Sequence, residues 1–172
     1  MTRLFPNSTT DYGGYFTWAS TYGNVAIKER VASYSASFWR MMTTDEWTYL
    51  LNTRSVSHAR YHFATVAGTK GVILYPDTYT PGAAGVSAVS AKGSVSADDW
   101  RKMQLQVCVF LPAAGGYQSD GLRNEGTTAI VWTRDSGRSV TTGKNVCIST
   151  GELYFGTPTA TYKSSVRLVR NL

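Results

Sequence analysis

Catalysis in this chain would have to come from its histidines, cysteines and paired carboxylates, and each of these groups has a spacing that can be read. His58 and His62 stand at i and i+4, which on a helix would turn two imidazoles toward one metal ion. The run around them, ARYHFATV, is patterned as a strand and has no third ligand close by, so no metal site is expected. Cys108 and Cys147 lie in VCVF and VCIS. Apolar neighbours on both sides make them small buried hydrophobes before they make a disulfide or a metal pair. Asp45-Glu46 and Asp98-Asp99 fall at helix starts, where carboxylates favour the positive end of the dipole, and they read as cap residues rather than an acid/base pair. No G-x-S-x-G elbow, phosphate loop, G-x-G-x-x-G, H-E-x-x-H or zinc spacing occurs. Scattered Ser, His and Asp do not amount to a triad. The expectation is a protein that is not an enzyme and carries no cofactor.

The elements that would position any site follow from pattern. Thr43 stands three residues ahead of Glu46 and can close a capping box, and Trp47, Leu50 and Leu51 then share a face, which predicts a short helix over Thr44 to Arg54. Ala59 to Tyr75 predicts a hairpin turning at Ala67 to Gly71 and ended by Pro76. Residues 77 to 95 are small and nearly uncharged, a surface loop. Ser96 caps a second helix whose apolar face is Trp100, Met103 and Leu105. LQVCVFLP, apolar on both faces, predicts a central covered strand. Strands follow at Thr128 to Thr133, Lys144 to Ser149 and Glu152 to Phe155, the last two joined by Thr150-Gly151. A final strand, SSVRLVR, points Val166 and Leu168 inward and Arg167 outward. Residues 1 to 37 are rich in aromatics and Gly without a sustained period; a short first strand is expected at Arg3 to Phe5, and the rest is loop.

The 172 residues, 42% of them hydrophobic and 13% aromatic, suit one domain with a single sizeable core, 1–172. A net charge of +6 would favour anionic partners if it were clustered, but Arg123, Arg134, Arg138, Lys144, Lys163, Arg167 and Arg170 are dispersed and form no nucleic-acid motif. No nucleic-acid partner is expected, while an anionic glycan or an acidic protein patch fits the charge. No stretch nears the ~20 apolar residues of a membrane span, and the first residues lack a signal-peptide pattern.

Six segments, in order, carry a resemblance: FWRMMTTDEWTYLLNTR (Phe38 to Arg54), KGVILYPDTYT (Lys70 to Thr80), SADDWRKM (Ser96 to Met103), CVFLPAAGGY (Cys108 to Tyr117), VWT (Val131 to Thr133) and SVRLVRN (Ser165 to Asn171). Together they resemble the Fibrobacter succinogenes major paralogous domain, a family similar to the C-type lectin fold, to formylglycine-generating enzymes and to the variable proteins of diversity-generating retroelements. The resemblance implies an α+β, C-type lectin-like fold with two short helices, a small mostly antiparallel sheet, long loops, and N- and C-terminal strands that pair. VWTRD (Val131 to Asp135) and GTPTATYK (Gly156 to Lys163) depart from the family's YWSS-type and Tyr/Asn-rich segments. Neither EPN nor QPD with a downstream WND occurs, so the calcium-dependent sugar site of animal lectins is not implied. Cys108 and Cys147, in different strands, do not match a paired-cysteine copper site.

The function this implies is non-enzymatic binding of a protein or glycan ligand on a cell surface, by a domain displayed on a cell or virion, through C-terminal loops spanning about 129–163. Oligomers are compatible with it. If the loops are a retroelement target, adenine-directed change at AAC or AAT codons never yields Trp, Met, Lys, Gln or Glu, which sets Trp132, Lys144, Glu152 and Lys163 aside. The expected exposed ligand residues are Arg134, Asp135, Ser136, Arg138 and Ser139, then Asn145, Cys147 and Tyr154, then Thr159, Thr161 and Tyr162; a strand interior would bury Cys147 and Tyr154, and for Cys147 this expectation conflicts with its reading as a buried hydrophobe. A fixed adhesin or carbohydrate-binding domain, stacking sugars on Tyr117, Trp132, Tyr154 and Tyr162, is the alternative, and a pilus-tip or tail-fibre subunit is a third.

Overall fold

The computed structural model describes residues 16–17, 39–82, 93–139 and 142–170; the strand expected at Arg3 to Phe5 lies outside them. The first helical segment begins where local chemistry dictates. The Thr43 hydroxyl accepts the Glu46 amide at 3.2 Å while the Glu46 carboxylate accepts the Thr43 amide at 2.8 Å. That reciprocal box starts α1 (Thr44–Thr48), which runs on into a π-helical turn, Tyr49–Thr53. Arg40 grips the same carboxylate through both terminal nitrogens, at 2.6 and 2.5 Å, and these bonds hold Glu46 down at about 2. Its charge is thereby committed to the cap.

Among the described residues, two strands precede this helix, β1 (Phe16–Thr17) and β2 (Trp39–Met41). The hairpin forms as β3 (Tyr61–Val66) and β4 (Thr69–Leu74), turning over Ala67 and Gly68 alone, both at positive φ of 48° and 88°. A two-residue turn of this kind matches the strand twist, so Thr69 to Gly71, expected in the turn, belong to the ladder. The loop expected over 77–95 is also more ordered at its end. Ser94–Val95 form β5, parallel to β3, with the Thr65 and Ala67 amides bonded to Gly93 and Val95.

Ser96 caps α2 (Ala97–Leu105), accepting the Asp99 amide. At its far end the Cys108 amide bonds back to Met103 and the Val107 amide to Gln104, with Val107 at φ +64°. This is a Schellman closure with a β-branched residue in the left-handed position that glycine normally takes. It overturns the expected central strand from Leu105. Leu105 closes the helix and is 85% exposed, so it is not on the apolar face. The strand is only β6 (Val109–Pro112), and it lies at the edge of a sheet ordered β5-β3-β4-β6.

The remainder comprises β7 (Gly116–Gln118), β8 (Gly121–Arg123), β9 (Ala129–Ser136), β10 (Gly143–Ile148), β11 (Leu153–Gly156), β12 (Lys163–Ser164) and β13 (Leu168–Arg170). They form sheets β1-β12-β7-β8, β11-β10-β9 and β13-β2. The architecture is α+β, with two short helices and several small sheets that are mostly antiparallel. The single final strand expected from the pattern is divided. Its pieces pair with β7 and β1, then Ser165 bridges to Val131, then β13 pairs with β2. Arg167, expected outward, is half-buried, and burial pulls its guanidinium below the ordinary value. The chain's first described strands therefore pair with its last ones.

Three clusters fill the layers. Trp47 and Leu51 pack with Val72, Leu74 and Leu111 from one sheet and with Ala129, Val131, Val146 and Ile148 from another. Alternation places Ala64, Val66 and Ile73 on the opposite face of the first sheet, under Met103 of α2. On the far face of the second sheet, Ile130, Trp132 and Cys147 are closed over by Met41 and Tyr162, with Val166 and Leu168 beside them. Among the described residues no helix is long and apolar enough to cross a membrane.

Val107→Gly should raise stability by about 1 kcal/mol, because glycine holds the left-handed conformation without the Cβ clash. The urea midpoint measures it; a lower midpoint would mean that contacts of the half-exposed Val107 side chain outweigh the backbone strain.

Candidate functional site

Most of the residues assigned to a ligand face come from the sheet β11-β10-β9 and the loops at its end, and the register decides which way each points. Trp132 pairs with Asn145, Ile130 with Cys147, Cys147 with Tyr154 and Asn145 with Gly156. With a period of two, Arg134, Ser136, Asn145, Cys147 and Tyr154 therefore share the face of Ile130 and Trp132. The sequence could show that alternation. What it could not show is how far along the face its cover extends.

The cover is the segment leading to Tyr162, and it corrects three expectations of exposure. Asn145 and Cys147 are each 3% exposed and Tyr162 is 6% exposed. Tyr162 stands edge-on to Trp132 with ring centroids 6.0 Å apart, so it closes the core. Cys147 lies beneath it and points its thiol at the Asn145 side-chain oxygen, 3.6 Å away. In these positions the three side chains cannot meet a ligand without the cover lifting.

Beyond the cover the face opens. Arg134, Ser136, Arg138, Ser139, Thr159 and Thr161 are exposed, and Tyr154 is 49% exposed. Asp135 is half-buried on the other face, where its Oδ2 accepts the Thr44 amide at 2.5 Å, tying the strand end to the start of α1. The β9–β10 connection is held by its own bonds, from the Gly137 amide to the Thr142 carbonyl at 2.7 Å and from the Ser139 amide to the Thr142 hydroxyl at 3.1 Å. It rests on the following loop: a Cβ at Gly137 would come within 2.5 Å of the Thr157 methyl. Residues about 20 apart in sequence thus form one surface, with Thr159 and Thr161 in a turn closed by the Tyr162 amide on the Thr159 carbonyl at 3.0 Å.

The other candidates for chemistry are engaged in structure. His58 sets one ring nitrogen 2.8 Å from the Ala59 carbonyl and its ring edge-on to Tyr75 and Tyr79. His62 is in β3 opposite Ile73. Among the described residues, no three His, Cys, Asp or Glu are placed to hold a metal ion. Asp98 and Asp99 pair with Arg101 and Lys102 on α2. The sugar-stacking aromatics divide: Trp132 and Tyr162 are buried, while Tyr117 is 43% exposed with the Lys163 ammonium 5.9 Å from its ring centre. A shallow cleft of about 420 Å³ lies elsewhere, between β2, α1 and β13, lined by Arg40, Met42, Asp45, Glu46, Tyr49, Leu50 and Val169.

Cys108 and Cys147 are both free and buried, and burial pushes each thiol up to about 11. Neither should react with a bulky disulfide reagent in the native protein at pH 8, and both should react once it is unfolded; full native labelling would contradict the burial. Trp132→Ala should cost about 3–5 kcal/mol, measured by urea unfolding, as emptying a packed aromatic site does. An unchanged midpoint would remove Trp132 from the core.

No family model, curated protein or solved structure matches the chain.

Proposed function

We propose that this chain is a non-enzymatic ligand- or receptor-binding domain of C-type lectin-like fold, displayed on a cell or virion surface and diversified by a retroelement at its C-terminal loops. One observation supports the reading above the others. β9 and β10 are clamped between two apolar clusters, while the seven side chains Arg134, Ser136, Arg138, Ser139, Tyr154, Thr159 and Thr161 project from the same frame into solvent. Replacing any of them leaves the core volumes untouched, and surface substitutions of this kind usually change stability by less than about 0.5 kcal/mol. A frame that tolerates change at the face is what a diversified binder needs.

The exposed rings of Tyr117 and Tyr154 favour a second reading, a fixed adhesin that stacks sugars. DNA beside the gene separates the two. Retroelement diversification requires a near-copy of the codons for about residues 129 to 170, differing at adenines and adjacent to a reverse transcriptase gene. Among sister isolates, substitutions should then gather at the seven exposed positions and spare Trp132, Lys144, Glu152 and Lys163. Identical loops in all isolates, with no near-copy, would favour the fixed adhesin; changes spread evenly through the buried positions would refute both.

A further inference from the structure

The two outer edges of the sheet β11-β10-β9 meet different surroundings. Its ladder fixes which backbone groups point out of it. The Ser149 amide bonds the Glu152 carbonyl, and because bonded pairs alternate along an antiparallel ladder, Cys147 with Tyr154 and Asn145 with Gly156 are the next bonded pairs. Leu153 and Phe155 therefore turn their amides and carbonyls away from β10. On the opposite edge, the outward amides of Trp132 and Arg134 are taken by the carbonyls of Ser165 and Met42, at 3.0 and 2.8 Å. That edge is closed. On β11 nothing plays the same part: the strand pairs with β10 alone, and the outward groups of Leu153 and Phe155 have no partner among the described residues. Exposed edges are usually blunted by charge or proline. β6, at the edge of the sheet β5-β3-β4-β6, ends on Pro112, whereas Leu153-Tyr154-Phe155-Gly156 carries neither.

We infer that the β11 edge is the contact between two copies of this chain, paired antiparallel about a two-fold axis at Tyr154. The strand is complementary to itself in that register. Leu153 meets Phe155 of the second copy and exchanges both backbone bonds with it, and the symmetric pair does the same, so each outward amide and carbonyl gains a partner. Tyr154 then faces Tyr154 of the second copy at a non-bonded position, where side chains approach most closely, and its ring, 49% exposed in the single chain, gains an aromatic partner. Glu152 falls opposite Gly156, so no like charges meet. Any extended segment offers backbone groups; a second copy also brings an uncharged strand of equal length with an aromatic ring at its centre. The axis stands normal to the sheet, which then runs on through both copies and ends where the two β9 edges are already taken. The assembly closes as a dimer. This inference stands on the strand edge and does not need the binding reading above; together with that reading, it sets the Tyr154 side of both sheets on one side of the dimer, as a doubled face.

The test follows the mass of the full chain against concentration by sedimentation velocity. It should rise from one chain to two and stop there. In the dimer the Leu153 and Phe155 amides should exchange with deuterium more slowly than in the dilute monomer, while the Trp132 and Arg134 amides, bonded in both states, should not change. Tyr154→Lys sets two ammonium groups opposite each other at the axis, and Leu153→Pro removes an outward amide from an edge position that admits proline. Each should raise the dimer dissociation constant by about tenfold or more. Leu105→Lys, at an apolar side chain exposed on α2, should leave it unchanged. Leu153 is half-buried; if its proline variant does not fold, Tyr154→Lys, at an exposed ring, decides alone. A single-chain mass at millimolar concentration, masses beyond two chains, a dimer that survives Tyr154→Lys, or equal loss in Leu105→Lys would overturn the inference.

Discussion

The guanidinium of Arg54 joins the end of the first helical segment to both ends of the β3–β4 hairpin. It is 3% exposed, and a buried cation is tolerated only where every donor finds an acceptor. Here they do. Nε bonds the Leu50 carbonyl at 2.7 Å, one terminal nitrogen bonds the Asp77 carboxylate at 2.6 Å, and the other bonds the carbonyls of Arg60 and Tyr75 at 3.0 and 2.5 Å. One side chain therefore ties the π-helical turn to the approach of β3 and to the exit of β4. Asp77 is 63% exposed, so the carbonyls matter more than the screened ion pair. The π turn ends on the same residue, with the Arg54 amide on the Tyr49 carbonyl at 3.0 Å. Widening the helix there lets Leu51 face the core while the Arg54 side chain turns to these acceptors.

From that tie the layers follow. With the helix end held against the β3–β4 hairpin, Trp47 is wholly buried between the two sheets, its indole nitrogen without a protein partner. Packing rather than hydrogen bonding keeps it there. The face of β9 and β10 turned toward Trp47 is apolar, and the face turned away is closed by the C-terminal segment over Trp132. A strand pair fixed on both sides can carry a loop of almost any composition at its end. The proposed binding face draws on this division of labour: the core holds the frame, and the loops are left free of it.

Much of the fold was legible where the forces are local. Thr43 and Glu46, Ser96 and Asp99, and the alternation in β9, β10 and β11 act over a few residues, so their spacing alone predicts a cap or a strand. Local pattern failed at Leu105 and Val107. An apolar alternating run looks like a strand, but the carbonyls at the end of α2 needed donors, and the chain turned through a left-handed Val107 to supply them. Arg54 carried no signal at all, because its acceptors are backbone carbonyls whose approach depends on strands more distant in sequence.

The candidate face divides along the same line. That Arg134, Ser136, Asn145, Cys147 and Tyr154 share one side of a sheet follows from a period of two and was decided by the sequence. Which of them meet solvent was not. Tyr162 reaches across to Trp132 and covers Cys147, and Asn145 is buried beside them, while Tyr154 and the strand end at Arg134 and Ser136 stay open. Burial is a property of two segments brought together. The residues of one strand carry its alternation, but only the packing of a later segment determines how much of that face remains open.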